Sequence, residues 1–441
     1  MHERRRIQYL YFLLLITQPL LAATWSLKHL LPISPLQLIG ALMAPFFVYT
    51  LSSRSLRGTR RTQSLRGTQS TQSLRGPKDQ KELWTQRARR RGTLISLLST
   101  PHYSLYILLA LCVLLSAILG LITSLSAWEM HVQHLLRTVL FIALPLFGVF
   151  YLSDREVLER VALCLLLALI VPLGMLYYEI LVGPINISER SLSVRYIGLY
   201  AQVSVYGIHF ALGVLGALYL AVKREGTLYP TLLLVLLAML AFALPYVLHL
   251  STYAILFALA VVALYVFLRS GKWWHAAALP VIAVALFAFS YTHSALGPMD
   301  AAYLPDVEVL KGERPVESIA NARGYIWRDH LATWQRLPLQ AQLFGYGFAG
   351  TGSFSSALGF GAHSDVLRIL VTAGIIGLLC YAACILLLLR RIPALAIPER
   401  VLLIGALVIW LGYSVALTPS YIMPLMVGLL PVLGALSARG A

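Results

Sequence analysis

Residues 231–248 read TLLLVLLAMLAFALPYVL, eighteen positions without one charged side chain. As a helix this run would extend about 27 Å, close to the thickness of a bilayer's hydrocarbon core. Comparable runs lie at approximately 7–24, 31–51, 100–122, 135–152, 161–182, 198–222, 252–268, 276–292, 365–389, 401–417 and 421–437. The chain has 441 residues, 59% hydrophobic and 12% charged. A soluble domain carries about 25% charged residues, so the polar surface needed to keep a globule this size in water is missing. The fold class expected is an all-α integral membrane protein with about twelve transmembrane helices.

Charge distribution orients those helices. The net charge is +17, a value that could suggest nucleic-acid binding. Its placement excludes that class. The short linkers 153–160, 223–230, 269–275 and 390–400 are basic or mixed and alternate with less basic ones. With both termini in the cytoplasm, the cytoplasmic segments hold 25 of the 35 Lys and Arg and 8 of the 18 acidic residues. The opposite side then carries 10 of each, so the whole excess lies on one face, as the positive-inside bias expects. Cys112, Cys164, Cys380 and Cys384 all sit in apolar runs and read as small buried hydrophobes, with no disulfide or metal spacing. The first apolar run follows Arg4-Arg5-Arg6 but lacks a small-x-small cleavage site, and reads as a retained helix.

Two segments interrupt the spans, and the second of them divides the chain into 1–292, 293–364 and 365–441. Residues 52–93 contain a nine-residue period, Ser55-Leu56-Arg57-Gly58, Ser64-Leu65-Arg66-Gly67 and Ser73-Leu74-Arg75-Gly76. So short and polar a repeat cannot bury a core, and a disordered cytoplasmic loop touching anionic headgroups is expected. Residues 293–364 form the one long segment on the outer, periplasmic face. Within it the spacing predicts a helix over 321–337, capped by Asn321, with Tyr325, Trp327, Leu331 and Trp334 on its apolar side. Tryptophans so placed suit the membrane interface.

Charged and histidine side chains at the outer helix ends are costly unless they pair or work. These are Arg137, Glu179, Arg195, His209, Arg314, Arg323, Arg328, His363, Asp365 and Arg368. His363, at the start of the tenth span in Gly361-Ala362-His363-Ser364-Asp365, reads either as an interfacial side chain satisfied by water or as a general base. Arg323 and Arg328, on the loop helix, read either as a solvated face or as phosphate ligands. Gly345-Tyr346-Gly347-Phe348-Ala349-Gly350 matches the dinucleotide fingerprint only in letters, having no βαβ context and lying outside the cytoplasm. Its glycines instead permit a tight turn that brings backbone close to a ligand or to the His363 helix.

Taken in order, Arg323-Gly324-Tyr325-Ile326-Trp327, Gly345-Tyr346-Gly347, His363-Ser364 and Gly374-Ile375-Ile376-Gly377 resemble the O-antigen ligase and polymerase superfamily. The motif covers about 60 residues, and the span layout with one large outer loop extends the likeness. The resemblance implies an inverting, metal-independent glycosyltransferase of the bacterial inner membrane, without cofactor, acting on the periplasmic face. Its donor would be a polyprenyl-diphosphate-linked glycan. Its acceptor would be lipid A–core oligosaccharide in a ligase, or a second carrier-linked glycan in a polymerase. Carried over by motif, His363 would be the base and Arg323 a catalytic contact to the diphosphate. Arg195, Arg328, Arg137, Arg314, Gly345, Gly347 and Ser364 would line the substrate. One departure is visible: where many members have Ser-Arg at the start of the eighth span, this chain has His249-Leu250-Ser251-Thr252-Tyr253. A third reading, from another class, is a transporter or flippase; no repeat between the halves favours it.

Overall fold

The computed structural model describes residues 2–23, 111, 114, 140–141, 143–190, 193–198, 200, 203–247, 249–292, 308–345, 363–417 and 422–439. The expected spans at 31–51 and most of 100–122, the basic repeat, and Arg137 and Gly347 lie outside these residues.

The described chain is almost wholly helical. In order, α1 is His2–Ala23, α2 Arg155–Ala168, α3 Ile170–Val182, α4 Val203–Lys223, α5 Leu228–Val247, α6 Leu250–Arg269 and α7 Trp273–Thr292. A short 3₁₀ turn, Val316–Ser318, leads into α8 (Ile319–Gln335). Then come α9 (Leu339–Phe344), α10 (Asp365–Arg391), α11 (Ile397–Ala416) and α12 (Met423–Ser437). Among the described residues, six passages are long and apolar enough to cross a membrane: Arg155–Val182, Val203–Lys223, Leu228–Val247, Ser251–Arg269, Asp365–Ala394 and Ile397–Val415.

The apolar spacing gave no sign of one element. Between α3 and α4 the chain forms a small antiparallel hairpin, β1 (Ile187–Arg190) and β2 (Ser193–Tyr196), with Ser188 opposite Arg195. Runs of four residues are too short for period-two alternation to stand out beside helices of twenty. Among the described residues the class is therefore helical with one two-stranded hairpin.

The core is built around α4, whose residues from Tyr206 to Ala221 are all buried. A helix apolar on every side belongs in the middle of a bundle. Helices α2, α5, α6, α11 and α12 pack around it. The outermost surface is apolar too. On α6, Phe257, Val261 and Tyr265 recur at four-residue spacing and are exposed, a stripe suited to acyl chains and costly in water.

Hydrogen bonds join helices where lipid offers no alternative partner. Tyr11 donates to the Val427 carbonyl at 2.9 Å, tying α1 to α12, and Gln8 Nε2 donates to the Tyr151 carbonyl at 2.6 Å. At the cytoplasmic end expected from the charge pattern, buried Glu399 accepts from Arg155 Nε at 2.9 Å and pairs with Arg439. Arg439 Nε also donates to the Ser153 carbonyl at 2.8 Å. One carboxylate thus gathers the start of α2, the start of α11 and the chain just after α12.

Candidate functional site

The arginine helix begins earlier than the capping rule suggested. Ser318 precedes the first helical residue of α8, and Asn321 lies inside it. The 3₁₀ turn folds back so closely that a Cβ on Gly324 would lie 2.7 Å from Glu317 Cα. Gly324 therefore follows Arg323 because nothing larger fits beneath this turn.

The helical period separates the two arginines. Arg323 falls on the side of α8 that carries buried Ile326 and His330, at i+3 and i+7. Arg328 falls on the opposite, exposed side, where Nη1 donates to Glu317 Oε1 at 2.6 Å and the guanidinium lies 5.7 Å from the Tyr325 ring centroid. The Glu317 backbone N–H, together with the Arg328 guanidinium, holds the Glu317 carboxyl below the usual carboxylate range against the opposing effect of desolvation. Arg314, expected to contact substrate, forms an ion pair with Glu308. His330, absent from the residues read from sequence as candidates, stands at i+7 from Arg323 on this helix and is buried.

His363 is the sole non-glycine residue with positive φ among those described, at 47°. Histidine tolerates this left-handed region better than most residues, but still at a cost of about 1 kcal/mol. Strain of this kind persists where surrounding structure imposes it. Ser364 follows in extended conformation as the N-cap residue of α10, itself 7% exposed, and Asp365 opens the helix fully buried. An acidic residue in the first turn is favourable for the helix dipole.

The same helix is interrupted eleven residues after His363. α10 is kinked at Gly374, with φ 68° and ψ −173°, which sets off 365–373 as a separate arm. Gly345, at φ 87°, ends α9 and presses against this kink. A Cβ on Gly345 would lie 2.6 Å from the Ala373 amide nitrogen, and one on Gly374 2.6 Å from the Gly345 amide nitrogen. Helices α8 and α9 both pack against α10. The arginine helix, the glycine turn and the arm headed by His363 are thus one packed unit.

The place where an arginine was expected, at the start of α6, holds a hydrogen-bonded network instead. His249 Nδ1 meets Thr252 Oγ1 at 2.7 Å, and Thr252 Oγ1 meets the Tyr413 hydroxyl at 2.9 Å. Both His249 and Thr252 are buried. Arg195 occupies β2 of the hairpin. Among the described residues no three His, Cys, Asp or Glu side chains gather as a metal site.

Residues 235–382 match the O-antigen ligase family model. The matched region runs from within α5 to within α10 and contains Arg323, Gly345, His363 and Gly374. The resemblance read from the motif is therefore borne out, and it is carried by the same stretch that forms the packed unit. Members of the O-antigen ligase family are glycosyltransferase-like enzymes, ligases or polymerases, whose substrates are lipid-linked glycans. No curated protein matches the chain.

Proposed function

We propose that this chain is an O-antigen ligase of the bacterial inner membrane, with about twelve spans, both termini cytoplasmic and residues 293–364 in the periplasm. It transfers a glycan from a polyprenyl diphosphate carrier to lipid A–core oligosaccharide, a step of lipopolysaccharide biosynthesis. The observation that carries this reading is the strained His363 at the head of α10, packed in one unit with the helix bearing Arg323 and lying within the family match.

The chemistry follows from the groups present. The acceptor hydroxyl oxygen attacks the anomeric carbon as the bond from that carbon to the diphosphate oxygen breaks. His363 takes the hydroxyl proton. The bonding pair leaves with the diphosphate, and guanidinium groups stabilise the charge that develops there. Attack opposite the leaving group inverts the anomeric centre. Arg323 is the main diphosphate contact, with Arg195, Arg137, Arg314 and Arg328 as further cations around the substrate and Gly345, Gly347 and Ser364 lining it. Opening the Arg314–Glu308 and Arg328–Glu317 pairs would free those two arginines.

Reconstitution in nanodiscs with carrier-linked glycan and each acceptor tests the assignment. Glycosylated lipid A–core is the expected product. Longer carrier-linked glycan would instead make the protein a polymerase. An untouched donor with both acceptors, or movement of glycan across the bilayer without a new glycosidic bond, would sink the reading.

A further inference from the structure

Glu179 is an ionisable side chain near the C-terminal end of Arg155–Val182, a passage long and apolar enough to cross a membrane, and is fully buried. A carboxylate in such a place is expensive unless donors surround it. Three do. Oε1 accepts from the Ile185 amide at 3.0 Å and from the Gly198 amide at 3.1 Å, and Oε2 accepts from the Tyr206 hydroxyl at 2.8 Å. Ile185 lies two residues before β1 and Gly198 two residues after β2. One oxygen therefore grips both ends of the hairpin, while the other ties that grip to the central helix α4.

The neighbouring groups tighten the same point. Asn186 Nδ2 donates to the Gly198 carbonyl at 2.8 Å, and the Ile197 amide donates to the Asn186 carbonyl at 3.2 Å. Gly198 turns at φ 58°, and a Cβ there would lie 2.6 Å from Met175 Sδ and collide with the Tyr206 hydroxyl. At the end of β2 beside this base, Tyr196 lies against Tyr246 of α5, ring centroids 5.5 Å apart. The hairpin is thus seated at its base and braced from α5.

We infer that Glu179 is a positioning residue: its buried carboxylate sets where the hairpin carrying Arg195 leaves the bundle, and so where Arg195 stands at the outer face. This rests on the reading above that Arg195 contacts the donor. A guanidinium moved away from the diphosphate loses a charge-assisted contact that contributes to donor binding.

The test is steady-state transfer with purified full-length protein and carrier-linked glycan donor, each variant checked by thermal unfolding. Glu179→Ala is expected to raise the donor KM about tenfold with kcat at saturating donor nearly unchanged, the pattern of lost binding rather than lost chemistry. Glu179→Gln is expected to rescue, because its carbonyl oxygen still accepts both amides and its amide can donate to the Tyr206 oxygen. In the pair Glu179→Ala with Arg195→Ala, KM should rise no further than in Arg195→Ala alone, since both act through one group. Multiplying effects, or a Glu179→Ala enzyme with wild-type KM, overturn the inference. Should that variant fail to insert, Asn186→Ala loosens the same base from an exposed position: a raised KM at unchanged kcat supports the inference and a wild-type KM overturns it. If Arg195→Ala itself leaves KM unchanged, the donor-binding reading of Arg195 has failed and the inference falls with it; a raised KM in Arg195→Ala with none in Glu179→Ala places the failure in Glu179.

Discussion

Gly345 and Gly374 meet backbone to backbone: a carbon added to Gly374 would lie 2.6 Å from the Gly345 nitrogen. Both have φ in the left-handed region, 87° and 68°. Alanine at either position therefore meets strain of about 1–3 kcal/mol before any clash is counted. Gly345→Ala and Gly374→Ala are each expected to lower the unfolding midpoint and to reduce transfer, because the kink sets the arm that His363 heads. An alanine variant at either site with unchanged midpoint and turnover would show that the contact is not what holds the arm.

At His363 the backbone and the imidazole are separable. His363→Ala should lower turnover by about a hundredfold or more while donor binding survives, the range for loss of a general base. Asparagine also tolerates positive φ. His363→Asn should therefore recover any stability lost by alanine yet remain as inactive. Near-normal transfer by well-folded His363→Asn protein would falsify the base assignment and return this side chain to its interfacial role.

Arg323 is expected to act on binding. Arg323→Ala should weaken donor affinity, since a charge-assisted contact to phosphate is removed. Arg323→Lys should recover only part, because an ammonium cannot reproduce the two-pronged guanidinium contact. Equal affinity of the lysine variant and wild type, measured by donor titration in nanodiscs, would argue against a bidentate contact.

The Glu317–Arg328 pair offers a pH signature. A carboxyl held below its ordinary range supports the fold above the unfolded value, about 4.3 for glutamate, and that support is lost as pH falls through the depressed folded value. Wild type should therefore unfold at a slightly higher temperature than Glu317→Gln at neutral pH, with the gap closing in acid. The gap should be small because the pair is exposed. A gap that stays constant down to strongly acidic pH would mean the carboxylate charge contributes nothing.

Reporter fusions at Gly76 and Gly312 test the orientation. The charge split puts the basic repeat in the cytoplasm and the long loop outside, so the two fusions should report opposite compartments. Matching signals would discard the arrangement.

The helices were largely legible because membrane spans advertise themselves in every residue. Runs 231–248 and 252–268, for instance, fall within α5 and α6 to within a few positions. The motif order was also legible, because glycine at positive φ and close contact has no substitute at Gly345 and Gly374. What stayed hidden was whatever depends on a partner distant in sequence. Glu179 reads as one acidic residue in an apolar run until Gly198, nineteen residues later, is brought to its oxygen. Likewise Arg323 and Arg328 look alike until the turn at Glu317 claims one of them and leaves the other on the buried side of α8.

A helix hidden on every side raises a question of timing. Ribosomes deliver α4 to the membrane long before α11 and α12, yet those late helices supply part of the wall around it. Until they arrive, Gly207, Leu212 and Leu215, which face Tyr413, Gly428 and Gly405, have acyl chains where protein will later stand. The bundle is therefore finished from its last-made end, and a nonsense codon beyond α10 leaves the oldest part of the interior open to lipid.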